Sequence, residues 1–234
     1  MIKKTINQND ILNIELLNTL NYNYIFNKAP INRYKIKQNL KTLADNLKNL
    51  KNKINTIQNC ELRKNAHQIV FEDGRIDSKI MLIGDSPGNL DEEKGKPFMG
   101  QEGALLEKML FAINIKKINI YLTNVFKFKL LKERKPTLLE IKRYANFLKE
   151  QISIINPKIL ILMGSTAMQA IFNESEKISL ERGQWKKLKL NENEINVIIT
   201  FHPAYLIQKP DQKKLSWIDL KLIKNKIFDL NLNL

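Results

Sequence analysis

The sequence predicts an α/β protein whose parallel sheet is covered on both faces. Three observations carry this: short β-branched apolar runs recur, each ends at a turn residue or motif, and stretches of helical periodicity separate them. The runs are KIMLIG (79–84), INIYLTN (118–124), KILILMG (158–164) and INVIITF (195–201). Between them, 101–114 sets Leu105, Leu106, Met109, Leu110 and Ile113 on one helical face. Segment 137–155 does the same with Leu138, Ile141, Leu148, Ile152 and Ile155, and opens on Thr137 and Glu140 behind Pro136, the spacing of a capping box. A last helix is expected over 213–229. Residues 1–56 are expected to form a helical N-terminal extension, with a face of Ile36, Leu40, Leu43, Leu47, Leu50 and Ile54 and a break near Pro30; 57–234 form the main domain.

At 234 residues and 43% hydrophobic, the chain can bury a full core. Its longest unbroken apolar run, ILILM (159–163), is too short to span a bilayer, and MIKKTINQND has no apolar segment behind its lysines. No membrane and no signal peptide are therefore expected. A single cysteine, Cys60, excludes an internal disulfide framework and fits a reducing cytoplasm. The formal charge of +15 points to a polyanionic partner, although a composition flooded with Lys, Asn and Ile accounts for part of the excess. Its placement is more informative: between Thr123 and Lys149 stand Lys127, Lys129, Lys132, Arg134, Lys135, Lys142, Arg143 and Lys149 against Glu133 and Glu140. Such a patch neutralises phosphates.

In open α/β sheets the ligand sits beyond the carboxyl ends of the strands. Those ends carry Gly84-Asp85-Ser86-Pro87-Gly88, Thr123-Asn124, Gly164-Ser165 and His202-Pro203. The acidic loop GDSPGNLDEEKGKPFMG (84–100) interrupts an otherwise basic chain at the first of them. Read alone, GDSPG resembles the serine loop of GDS-type esterases. Their orienting acid precedes the histidine by three residues, where this chain has Ile199, so Ser86 lacks a relay.

Taken together, GDSPGNLDEEKGKPFMGQEGALLEKML, IYLTNVFKFK, EQISIINPKILILMG and FHPAYLIQKP…LSWIDLK resemble, in order and spacing, the motifs of family 4 uracil-DNA glycosylases over about 57–226. The resemblance implies a three-layer α/β/α sandwich around a four-stranded parallel sheet. It implies release of uracil from deoxyuridine in DNA by base flipping, in a protein expected to act as a monomer. On the matching positions, Phe98 stacks on the flipped base, Asn124 pairs with uracil N3–H and O4, and Asp91 excludes the thymine methyl, with Gly84 completing the uracil site. His202 hydrogen-bonds O2 of the leaving base, and Asp85 stabilises the cationic sugar and directs water. Leu206 is the expected wedge, and Lys127, Lys129, Arg134, Ser165 and Pro203 the expected DNA contacts. Two departures stand out. Position 85 is aspartate rather than the usual glutamate. Of four cysteines that hold the family's 4Fe-4S cluster only Cys60 is present, the others being Ile57, Phe128 and Tyr144. No cofactor or metal is therefore expected, since one thiolate cannot hold such a cluster. A DNA-binding module of the same fold, weak or inactive as an enzyme, is the alternative.

Overall fold

The computed structural model describes residues 33–130, 134–172 and 177–232, with side chains from residue 38 onward. The chain divides into two units, 1–38 and 39–234. The break expected near Pro30 lies outside the described residues.

The four expected strands are present as β2 (Ile80–Gly84), β3 (Tyr121–Asn124), β4 (Ile159–Met163) and β6 (Asn193–Thr200). They pair in parallel in the order β3-β2-β4-β6. The four-stranded expectation falls short by two, because β1 (Asp73–Gly74) and β5 (Trp185–Leu190) add antiparallel edges for six strands among the described residues. Both escape an apolar-run criterion. The first spans two residues, and WKKLKL carries the lysines that typically blunt a sheet edge.

Alternate residues of the central strands enter opposite cores, as the period of two requires. Met81, Ile83, Tyr121, Leu160, Leu162, Val197 and Ile199 share one with α1 (Arg33–Asn55), α5 (Leu138–Ile155) and α6 (Ser165–Phe172). Ile80, Leu82, Leu122, Ile159, Ile161, Met163 and Ile198 share the other with α4 (Gln101–Phe111), α8 (Pro203–Gln208) and α9 (Lys213–Asp229). Helix α1 contributes Leu47, Leu50 and Ile54 to the core of the second unit. The short helices α2 (Glu61–Lys64), α3 (Asn89–Lys94) and α7 (Ile178–Glu181) complete the described set. The box before α5 forms as expected: the Glu140 N–H donates to Thr137 Oγ1 at 3.3 Å, and the Thr137 N–H to Glu140 Oε2 at 2.8 Å. No described helix is long and apolar enough to cross a membrane.

Candidate active site

The parallel register sets Gly84 directly beside Asn124 at the carboxyl ends of β2 and β3. Asn124 is 2% exposed. A β-carbon on Gly84 would stand 2.5 Å from Asn124 Oδ1 and 2.6 Å from Phe98 Cζ. Glycine is thus the residue that lets amide and ring come this close to the end of β2. Phe98 reaches this place with φ +58, a backbone conformation that bulky side chains rarely adopt. Its carbonyl accepts from Lys117 Nζ at 2.9 Å and lies so close to α4 that any side chain at Gly103 would collide with it. Asp91 ties the loop together, its carboxylate accepting the N–H of Gly88 at 3.2 Å and of Met99 at 2.7 Å.

His202 caps α8. Its Nδ1 accepts the Ala204 N–H at 3.2 Å, so the neutral ring carries its proton on Nε2. Burial pulls its pKa down to about 4, which keeps it a neutral donor at physiological pH. The imidazole faces Phe98 with centroids 5.9 Å apart and planes inclined at 27°.

Asp85 is half-buried where α6 begins, and its Oδ1 accepts the Ala167 N–H at 3.0 Å. Lost hydration pushes its pKa up to about 7 against the pull of the Ala167 and Thr166 amides and the Thr166 hydroxyl. Gly164, at φ +106, makes this approach possible, because a β-carbon there would stand 2.5 Å from one carboxylate oxygen.

Asp85, Gly88, Glu102, Lys129 and His202 line a pocket of about 280 Å³. A groove of about 500 Å³ shares Asp85, Ser86 and Arg134 with it and continues along Lys135, Ser165 and Gln169. A carboxylate, a neutral imidazole donor and a buried amide thus stand at one end of the sheet, beside a cationic groove.

The sequence profile of the Uracil DNA glycosylase superfamily matches residues 71–221. The chain belongs to this superfamily. It is 30% identical over 183 residues to the type-4 uracil-DNA glycosylase of Archaeoglobus fulgidus, covering 76% of this chain and 92% of that one. It is 33% identical over 149 residues to the type-4 enzyme of Thermotoga maritima, covering 64% and 77%. The corresponding protein of Sulfurisphaera tokodaii is 31% identical over 185 residues, covering 77% and 84%.

Within this superfamily member, Gly84, Asp85, Phe98, Asn124 and His202 gather at one sheet end. Asp91 stands in the same loop, its carboxylate engaged with backbone amides. Three expected DNA contacts need correction. Lys127 has 0% exposure and donates to Asn124 O at 2.6 Å, to Gln151 Oε1 at 2.7 Å and to Thr123 Oγ1, so no phosphate can reach it. Leu206 is 1% exposed and Pro203 is also buried. Three residues apart on α8, they share its inner face, whereas Tyr205 and Ile207 point outward. Lys129, Arg134 and Ser165 do line the pocket and groove, although Arg134 also forms a fork to Glu140 at 2.9 and 2.6 Å.

Glu102 was not foreseen. It opens α4 at the pocket rim, and only the folding of the 84–100 loop over that helix brings it there. Lys117 and the Ala167 amide were missed for the same reason: their partners lie 19 and 82 residues away.

The positions of the family's cluster ligands do not fit such a cluster. Cys60, Phe128 and Tyr144 are buried in one apolar core with Ile57 packed against it. Cys60 Sγ lies 3.3 Å from the Tyr144 hydroxyl, and Tyr144 packs on Phe126 with ring centroids 4.8 Å apart. The sequence offers one thiol where four thiolates are needed.

Proposed function

We propose that the chain is a uracil-DNA glycosylase that hydrolyses the N-glycosidic bond of deoxyuridine in flipped-out form, without an iron–sulfur cluster. The observation that carries this reading is the convergence of the Asn124 amide and the Phe98 ring at Gly84, with the His202 ring stacked on Phe98 and facing the pocket that Asp85 lines. These groups stand at the inner end of the parallel strands, which a base held in the helical stack does not reach, so uracil meets them only in flipped-out form. The amide pairs with uracil N3–H and O4 together, and cytosine presents the reversed donor and acceptor. Close walls at Gly84 and the Asp91-braced loop exclude the thymine methyl.

In the reaction the C1′–N1 bond breaks and its electrons leave with uracil. His202 Nε2–H stabilises the charge gathering on O2, and ionised Asp85 faces the cationic sugar. Water adds to C1′, and Asp85 takes its proton. Lys129, Arg134, Lys135 and Ser165 hold the strand in the groove. With Leu206 enclosed, the wedge role passes to Tyr205 and Ile207 on the outer face of α8. Apolar and aromatic packing around Cys60 and Tyr144 takes the place of metal ligation, and iron and acid-labile sulfide assays on the purified protein are expected to read zero. A stoichiometric cluster would overturn that part of the proposal.

Incubation with a uracil-containing oligonucleotide followed by alkali tests the whole. Strand cleavage by the wild type that is lost in His202→Ala is the expected result. Binding without cleavage favours the inactive DNA-binding module instead.

A further inference from the structure

We propose that Lys127 is a positioning residue for base recognition: from inside the core it clamps the main-chain carbonyl of Asn124 and so fixes the angle at which that residue's amide meets the pyrimidine. This rests on the function proposed above and assigns work to a group that the reaction itself does not use.

In its protonated form the Lys127 amine has three N–H bonds to donate, and all three find acceptors inside the protein: Asn124 O, Gln151 Oε1 and Thr123 Oγ1; burial pulls its pKa down to about 7, against the pull of the Glu72 carboxylate. The acceptors are themselves anchored. Gln151, on α5, donates from Nε2 to the Tyr121 hydroxyl at 2.6 Å, and that hydroxyl donates to the Glu72 carboxylate. Thr123 Oγ1 donates to Phe71 O at 2.7 Å, and the lysine ammonium lies 5.6 Å from the Phe71 ring centroid. The network fastens one face of β3 to α5 and to the irregular segment before β1. Asn124 projects its own side chain from the opposite face, toward Phe98.

The decisive detail is the peptide unit between Asn124 and Val125. Its carbonyl accepts from Lys127, and its N–H donates to Gly84 O at 2.9 Å. Both ends of one rigid plane are held, so rotation about the Cα–C bond of Asn124 is blocked. The glycine on the second tether is the one whose missing β-carbon lets the Asn124 amide and the Phe98 ring approach it. Burying a charge is expensive unless every proton is matched, and an apolar residue would fill the same volume more cheaply. What the lysine adds is direction at the Asn124 carbonyl.

A double-mutant cycle tests this, with Lys127→Met, Asn124→Ala and the pair measured for single-turnover uracil release. Lys127→Met is expected to slow release about tenfold and to weaken inhibition by free uracil by a similar factor. Affinity for an abasic-site oligonucleotide and the salt dependence of binding stay at wild-type values. In the Asn124→Ala background the same change alters release less than about twofold, since there is no amide left to aim. Equal losses in both backgrounds overturn the inference and leave Lys127 a purely structural residue. A salt slope smaller by about one would make it a phosphate contact after all. Should Lys127→Met not fold, Gln151→Leu, which removes one of the three acceptors, enters the same cycle with the same criteria. A wild type that releases no uracil refutes the functional reading, which is a separate outcome from additivity in the cycle.

Discussion

Asp85→Asn is expected to lower kcat by about 10²–10⁴-fold while making the protein more stable at pH 8. Asparagine preserves the acceptor for the Ala167 N–H but removes the charge that faces the sugar. The stability half follows from linkage. Burial raises this carboxyl from 3.8 to about 7 on folding. Between those values the folded state keeps a proton that the unfolded state has released. The stability of the native protein therefore falls as pH rises across that window, and the deficit is fully present above it. Exchanging the acid for a neutral amide relieves that deficit above pH 7 and changes little below pH 4. The wild-type kcat/KM profile should accordingly rise with pH through about 7, and that rise should be lost in the asparagine variant. His202, held near 4, does not titrate in that range, whereas burial lowers Lys127 to about 7, so a fall with pH that persists in the asparagine variant belongs to its deprotonation. Thermal melts at pH 5 and 8 beside the pH–rate profile check both halves. A variant both slower and less stable at pH 8 would mean that Asp85 serves the fold instead.

Gly84→Ala is the second large effect. Its β-carbon would press on Asn124 Oδ1 and Phe98 Cζ at 2.5 and 2.6 Å, inside contact distance for both. No φ penalty is involved, because Gly84 is not in the left-handed region. The expected outcome is a loss of about 100-fold in kcat/KM with weakened inhibition by free uracil, and unchanged affinity for an abasic-site oligonucleotide. An alanine variant with normal turnover would place the base somewhere other than beside Gly84.

What was legible in the sequence was whatever depends on neighbours in the chain. The four parallel strands and the Thr137–Glu140 box follow from local period and cap chemistry. The strand-end residues Gly84, Asp85, Asn124 and His202 follow from where apolar runs stop. Lys127 was misplaced because its burial is decided by Gln151 and Glu72, 24 and 55 residues away in the chain; one charge among eight in a basic stretch reads as surface. The error at Leu206 has a nearer cause. Pro203 starts a helix at once, and helical spacing then turns Leu206 inward with it. The protonation of His202 was a matter of chemistry before it was one of structure, and the Ala204 amide supplies the tautomer that the chemistry wants. Glu102, by contrast, had no signal short of the folded loop.

The turn leaving β3 is sewn to the segment that carries the acid: the Val125 N–H bonds Gly84 O at 2.9 Å, and the Phe126 N–H bonds Asp85 O at 3.1 Å. On the proposed function, the strand that would inspect the nucleobase and the loop that would make the cut consequently share one frame and drift as one. Fidelity and speed are mechanically yoked in such a catalyst, so altered versions that tolerate other bases are bound to be slow ones.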